Sequence, residues 1–198
     1  TMTIKSQKVR VKNYLEDTVS IRRSKHRPMP TVTASVYNHP ECINFLELCN
    51  SLDAYERGYV KVKYAPAEDR VLFCATNGAV GRLLSGSGPK WISYGELPSG
   101  IHVGVGSTAV LVEDVPSACS VSRIEGMVGV ALLGTTITAG IKSTLSEYNN
   151  CYLVLDKDAS VKSLKQSKSI SRNIKVRFTS EDLKYLTTDK IQDLIHIS

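Results

Sequence analysis

Three acidic positions in this chain have the residue types and spacing to do chemistry. Glu113 follows the apolar run Thr108-Ala109-Val110-Leu111-Val112. Asp156 and Asp158 follow Cys151-Tyr152-Leu153-Val154-Leu155, with Lys157 between them. Short runs of β-branched and aliphatic residues read as buried strands. Runs apolar on both faces imply a parallel sheet covered by helices. Carboxylates just beyond such strands lie where open α/β sheets bind ligands. If the chain stays extended through Lys157, Asp156 and Asp158 point the same way, because side chains alternate along a strand. Converging carboxylates repel one another, and a divalent cation is the usual remedy. Mg²⁺ suits such a place, because it takes few carboxylates and keeps water or phosphate oxygens as its other ligands.

These positions need a scaffold to bring them together. From residue 108 onward strand and helix patterns alternate, which argues for crossover units. The spacing predicts strands at 108–112, 128–133, 151–155 and 173–178, and helices near 116–124, 138–148, 159–169 and 187–195. A smaller mixed part precedes them. Pro40 opens a helix running to about Asp53, with Cys42, Phe45, Leu46, Cys49 and Leu52 on one face. Core packing explains that stripe, so it is assigned no chemistry. Residues 59–64 alternate, 70–75 return, and Asn77-Gly78 marks a hairpin into 79–84, so an antiparallel meander is expected. Lys8-Val9-Arg10-Val11-Lys12 alternates and reads as a further edge strand. Residues 93–106 read as a connector. They are no phosphate loop, lacking Gly-Lys-Ser/Thr. The fold class expected is α/β: a mostly parallel sheet flanked by helices over 107–198, preceded by a mixed α+β subdomain over 1–106.

The span 108–158 resembles the TOPRIM domain shared by bacterial and phage primases, topoisomerases and some small nucleases. That pattern is a strand ending in Glu, a helix, a strand ending near Gly-Thr, a helix, and a strand ending in Asp-x-Asp. Glu113, Gly134-Thr135-Thr136 and Asp156-Lys157-Asp158 stand here in that order. Upstream, Asp69-Arg70-Val71-Leu72-Phe73, then Gly78-Ala79-Val80-Gly81-Arg82-Leu83-Leu84, then Pro89-Lys90-Trp91-Ile92-Ser93-Tyr94 resemble the segment preceding the domain in primases. The two resemblances together cover residues 59–190 or so. They imply a TOPRIM-like sheet and the catalytic core of a phage-type or bacterial-type DNA primase, which copies single-stranded DNA into short RNA primers from ribonucleotides with Mg²⁺ or Mn²⁺. Asp156, Asp158 and Asp182 are then the implied metal ligands, direct or through water. Asp182 is the best match to an acidic residue after the fourth strand, with Leu183 where proline is usual and Glu181 as the alternative. Glu113 is implied as a further ligand or as the proton-transfer residue. Glu113 and Asp114 also admit a second reading, as a pair at a helix N-terminus stabilised by its dipole. Arg82 and Lys90 match positions that face template and nucleotide, with Trp91 and Lys157 as further contacts; the alternative is ordinary surface cations. The basic cluster with Arg22 and Arg23 reads as a phosphate-contacting arm or as a solvated loop. Lys162, Lys165, Lys168 and Arg172 admit the same two readings.

Composition sets the outer bounds. A net charge of +6 over 198 residues, with a pI near 9.0, favours a polyanionic partner. No run of about 18 or more apolar residues exists, so no membrane span is expected. No secretory leader is expected at the N-terminus either, and the location expected is the cytoplasm of a bacterial cell or phage-infected host. The five cysteines, Cys42, Cys49, Cys74, Cys119 and Cys151, include no Cys-x-x-Cys pair. They read as reduced core residues, and no zinc is expected, although primases usually carry a zinc-binding module ahead of this core. No helicase motif follows, so a replicative helicase would be a separate chain or portion. Two other functions compete: a TOPRIM nuclease using the same carboxylates, against which the Arg82 and Lys90 segment argues, and a nucleic-acid-binding protein without turnover.

Overall fold

The computed structural model describes residues 27–133, 138–156 and 174–196. Arg22, Arg23, the Gly134-Thr135-Thr136 turn, Lys157, Asp158, the strand at 8–12, and the helix and basic stripe at 159–172 lie outside the described residues. Pro40 sits in the first turn of α1 (Pro40–Leu48), where its missing N–H costs nothing. The single helix expected to reach Asp53 is two. The chain breaks at Asn50, which takes a left-handed φ of 53°, and resumes as α2 (Leu52–Glu56). Asn tolerates that conformation better than most residues, and its short side chain finds a partner elsewhere.

The meander forms as expected and gains a strand. β1 (Lys61–Ala65), β2 (Arg70–Cys74), β3 (Gly78–Leu83) and β4 (Trp91–Gly95) pair antiparallel in sequence order. Residues 93–106 are no patternless connector. They hold the end of β4 and β5 (Ile101–Val103), which pairs antiparallel with β7 (Gly126–Ala131).

The second sheet is ordered β5-β7-β6-β8-β9, where β6 is Gly106–Val112, β8 is Asn150–Asp156 and β9 is Ile174–Thr179. All its neighbours except β5 and β7 pair parallel. Both faces of β6 are covered. Val110 and Val112 pack with Val115, Ala118 and Val121 of α3 (Val115–Ser122) and with Ile191 and Ile195 of α5 (Thr188–His196). Ala109 and Leu111 pack with Ile141 and Leu145 of α4 (Ala139–Leu145). The first cluster also takes in Val62, Val71 and Phe73, so one apolar core runs through both sheets. Gly129 lets α3 lie close on β7, for a Cβ there would stand 2.2 Å from the Ala118 carbonyl oxygen.

Candidate active site

Among the parallel strands, β6 is followed in sequence by β7 on one side, and β8 and β9 lie on the other. The crevice at the carboxyl ends of β6 and β8 is therefore a topological switch point, the place where doubly wound sheets take ligands. Glu113 and Asp156 stand there. Glu113 immediately follows β6 and is exposed; its carbonyl accepts a hydrogen bond from Leu133 N–H at 3.0 Å. Asp156 is the last residue of β8. Leu111 pairs with Leu153, so Glu113 and Asp156 end neighbouring strands spaced about 5 Å apart.

The residue beside Glu113 does different work. Asp114 caps α3, its Oδ1 accepting from Ser117 N–H at 2.9 Å. Its Oδ2 accepts from Lys184 Nζ at 3.0 Å. The helix-terminus reading thus falls to Asp114 and leaves Glu113 outside the cap. Pro116, in the first turn of α3, was the local signal for that cap.

Asp182 enters through β9. Asp156 pairs with Thr179, a buried residue whose hydroxyl donates to the Glu181 carbonyl at 2.7 Å and accepts from Glu181 N–H at 3.1 Å. The chain turns there and reaches exposed Asp182, whose Oδ2 lies 2.7 Å from Lys184 Nζ. Lys184 therefore joins Asp114 to Asp182. Its burial works against a charged ammonium, but the Asp182 and Asp114 carboxylates outweigh that and hold its pKa above the ordinary lysine value. Its backbone is fixed as well. Asn50 Nδ2 donates to the Lys184 carbonyl at 2.7 Å, and Arg123 bridges Asn50 Oδ1 at 3.2 Å and the Leu186 carbonyl at 2.7 Å. Lys184, Asn50 and Arg123 were missed in the sequence, since the contacts that join them to one another, to Asp114 and to Leu186 span 63 residues or more.

No three metal-ligating side chains come together among the described residues. Of the four expected ligands, Glu113 and Asp182 have described side chains, and Asp182 is paired with Lys184. Glu113 follows the end of β6 and Asp156 ends β8, while Asp158 lies outside the described residues. None of the five cysteines is in a disulfide, and burial pushes the Cys49 thiol up to about 11 and the Cys42 thiol up to about 12. They are poor nucleophiles in this state.

Of the basic residues expected to contact nucleic acid, Arg82 and Lys90 are among the described residues, Arg82 on β3 and Lys90 next to β4. Arg82 faces Trp91 across the ladder, and its guanidinium lies 5.6 Å from the Trp91 ring centroid and 5.9 Å from that of Phe45. Trp91 also packs against Phe73, so it is a half-buried wall of the core. Lys90 is exposed in the turn before β4. Arg70, buried, holds that turn in place: its Nη2 donates to the Pro89 carbonyl at 2.7 Å and its Nη1 to the Gly81 carbonyl at 3.2 Å. A cleft of about 510 Å³ opens between the two sheets, lined by Tyr59, Lys61, Asn77, Glu96, Ser99 and His102 among others. Ile101 pairs with Ala131, the last residue of β7, so the cleft opens at the same carboxyl edge as Glu113.

No protein-family model matches the chain, and no curated protein is similar to it in sequence. Its fold is similar to solved structures. A structure of the DnaG catalytic core aligns with 86% of this chain and 64% of its own, at a TM-score of 0.52 and 16% identity. A DNA primase domain from Pseudomonas aeruginosa aligns with 87% of this chain and 64% of its own, at 0.51 and 16% identity. The Aquifex aeolicus primase, spanning zinc-binding and RNA polymerase domains, aligns with 86% of this chain and 49% of its own, at 0.51 and 19% identity. The chain thus has the fold of DnaG primase catalytic cores and spans about half to two thirds of the chains it matches. No helix among the described residues is long and apolar enough to cross a membrane.

Proposed function

We propose that this chain is a primase-type nucleotidyltransferase that joins ribonucleotides on a single-stranded DNA template. The observation that carries the reading is the placement of Glu113 and Asp156 at the ends of neighbouring parallel strands, at the switch point of a sheet with a primase-core fold. Nucleotidyl transfer asks little covalent chemistry of the protein. It needs positioning, and neutralisation of charge at the phosphate and at the attacking and leaving oxygens. Glu113, Asp156 and Asp158 are the residues that would hold Mg²⁺ or Mn²⁺, which when bound supplies that neutralisation. In the alternative, Glu113, exposed and outside the α3 cap, takes the proton and leaves the metal to Asp156 and Asp158. Lys90 and Arg82 supply positive charge on the antiparallel sheet, and Arg70 fixes the turn that presents Lys90. The cleft lined by Lys61, Asn77 and Ser99 is large enough for a nucleoside and opens on the same edge.

The test is incubation of the chain with single-stranded DNA, ribonucleotides and Mg²⁺ or Mn²⁺. Short RNA products dependent on template support the reading. Template degradation in place of synthesis would make the chain a nuclease, and binding without either product would make it a non-catalytic nucleic-acid-binding protein. A replicative helicase is proposed as a partner on a separate chain or portion.

A further inference from the structure

We infer that Lys184 is the resident cation of the Asp114–Asp182 carboxylate pair, and that Asp182 therefore holds a loop in place and is no metal ligand. The inference rests on the reading above in one respect, that metal binds at this carboxyl edge. It narrows the metal-binding residues to the ends of β6 and β8.

Two carboxylates from loops distant in sequence meet at one nitrogen. Lys184 Nζ is 3.0 Å from Asp114 Oδ2 and 2.7 Å from Asp182 Oδ2, and its side chain is only 18% exposed. Carboxylates brought so close repel unless a cation lies between them, and a dication could serve as well as an ammonium. Here the ammonium is supplied by the fold itself. The Asn50 bond to the Lys184 carbonyl pins the backbone from which the side chain reaches. Asp114 has both oxygens in use, one on the Ser117 N–H and one on Lys184. A metal ion at this corner would have to expel Lys184 and compete for a carboxylate that also caps α3. The result is a lock. Lys184 fastens the turn after β9 to the corner beside Glu113, across the end of β8.

The sign of the expected effect separates this role from a merely structural one. Removing Lys184 leaves two carboxylates without their cation, so the chain gains affinity for dications, whereas general loosening of the edge loses it. The experiment titrates Mn²⁺ alone into the full chain and counts bound ions by the loss of the free-ion paramagnetic resonance signal. Lys184→Met is expected to bind one more Mn²⁺ per chain than the wild type. Lys184→Arg should keep the wild-type count, and Lys184→Met combined with Asp182→Asn should lose the added ion. An unchanged or lower count in Lys184→Met overturns the proposal. Should Lys184→Met not fold, Asp182→Asn alone decides: an unaltered count supports the resident-cation role, and a lost ion makes Asp182 a metal ligand. A chain that binds Mn²⁺ yet makes no primers would sink the primase reading while leaving this comparison of counts intact.

Discussion

Glu113 and Asp114 are adjacent carboxylates, and the structure gives them opposite sensitivities to substitution. Asp114→Ala removes the α3 cap, a change that costs about 1 kcal/mol. It also removes one acceptor from a largely buried ammonium, roughly 1.5 kcal/mol for a bond to a charged group, with Asp182 still in place as the other. The two losses come to about 2.5 kcal/mol, which for a domain of this size lowers Tm by roughly 5–10 °C. Glu113→Gln alters an exposed residue outside the cap and keeps its shape, so Tm should stay within about 2 °C of the wild type. Primer synthesis should behave the other way. Glu113→Gln loses at least about a hundredfold if the carboxylate acts in proton transfer. Asp114→Ala retains turnover at temperatures well below its melting point. Calorimetric melts of both variants, paired with primer assays at 20 °C or so, give the comparison. Equal Tm losses in the two variants, or a wild-type melt for Asp114→Ala, would refute the division of labour drawn between the neighbours.

Gly129→Ala places a methyl group 2.2 Å from the Ala118 carbonyl oxygen, so α3 must move off β7; about 1–3 kcal/mol of stability should be lost, read by denaturant unfolding. Lys90→Ala should lower the slope of log affinity against log salt by about one if the ammonium meets one phosphate, with no change in Tm, measured by single-stranded DNA titrations at several ionic strengths. Arg82→Ala should weaken the same binding and also lower Tm, because its guanidinium packs between the Phe45 and Trp91 rings. Asp69, at φ 49°, accepts hydrogen bonds from Ser85 and Tyr64, which lower its pKa below the usual carboxylate value. A depressed carboxylate stabilises the fold above its unfolded pKa of about 3.9 and loses that contribution as pH falls toward the folded value. Asp69→Asn should therefore flatten the fall in stability below about pH 4, seen by comparing acid titrations of the two proteins by circular dichroism.

The parallel strands β6, β7 and β8 were legible because burial on both faces leaves an unbroken apolar run, whereas β9 is a half-exposed edge strand that alternates Ile174-Lys175-Val176-Arg177. Val110 and Val112 need α3 as much as Ala109 and Leu111 need α4, and neither set can be polar. β5 was not legible for the opposite reason. Three residues, Ile101-His102-Val103, are too few to show a period, and they sit between Gly100 and Gly104, both at positive φ. The break after α1 was hidden by the apolar stripe, which carries through Cys49 to Leu52 as though the helix were continuous. What ends the helix is Asn50, and its side chain bonds to the carbonyl of Lys184, a residue of the other sheet's last loop.

That bond also shows why the candidate site was only half readable. A strand end is a local property: apolar residues stop, an acid follows, and Glu113 and Asp156 announce themselves. Whether such an acid is available for chemistry is a tertiary property, set by what the fold brings against it. Asp114 and Asp182 are as acidic in the sequence as Glu113; Pro116 marks a cap beside Asp114, and Lys184 stands two residues from Asp182 but 70 from Asp114, so the link between the two acids is not written locally. Lys184 decides both by lying within 3.0 Å of each. The turn that carries Lys184 is held in turn by Asn50 at the α1 break and by Arg123 at the end of α3. A carboxylate already matched to a cation of the protein's own gains little from a metal ion, so Asp114 and Asp182 make a locked corner of the carboxyl edge. Glu113 and the end of β8 lie beside that corner, and turnover should be sought there.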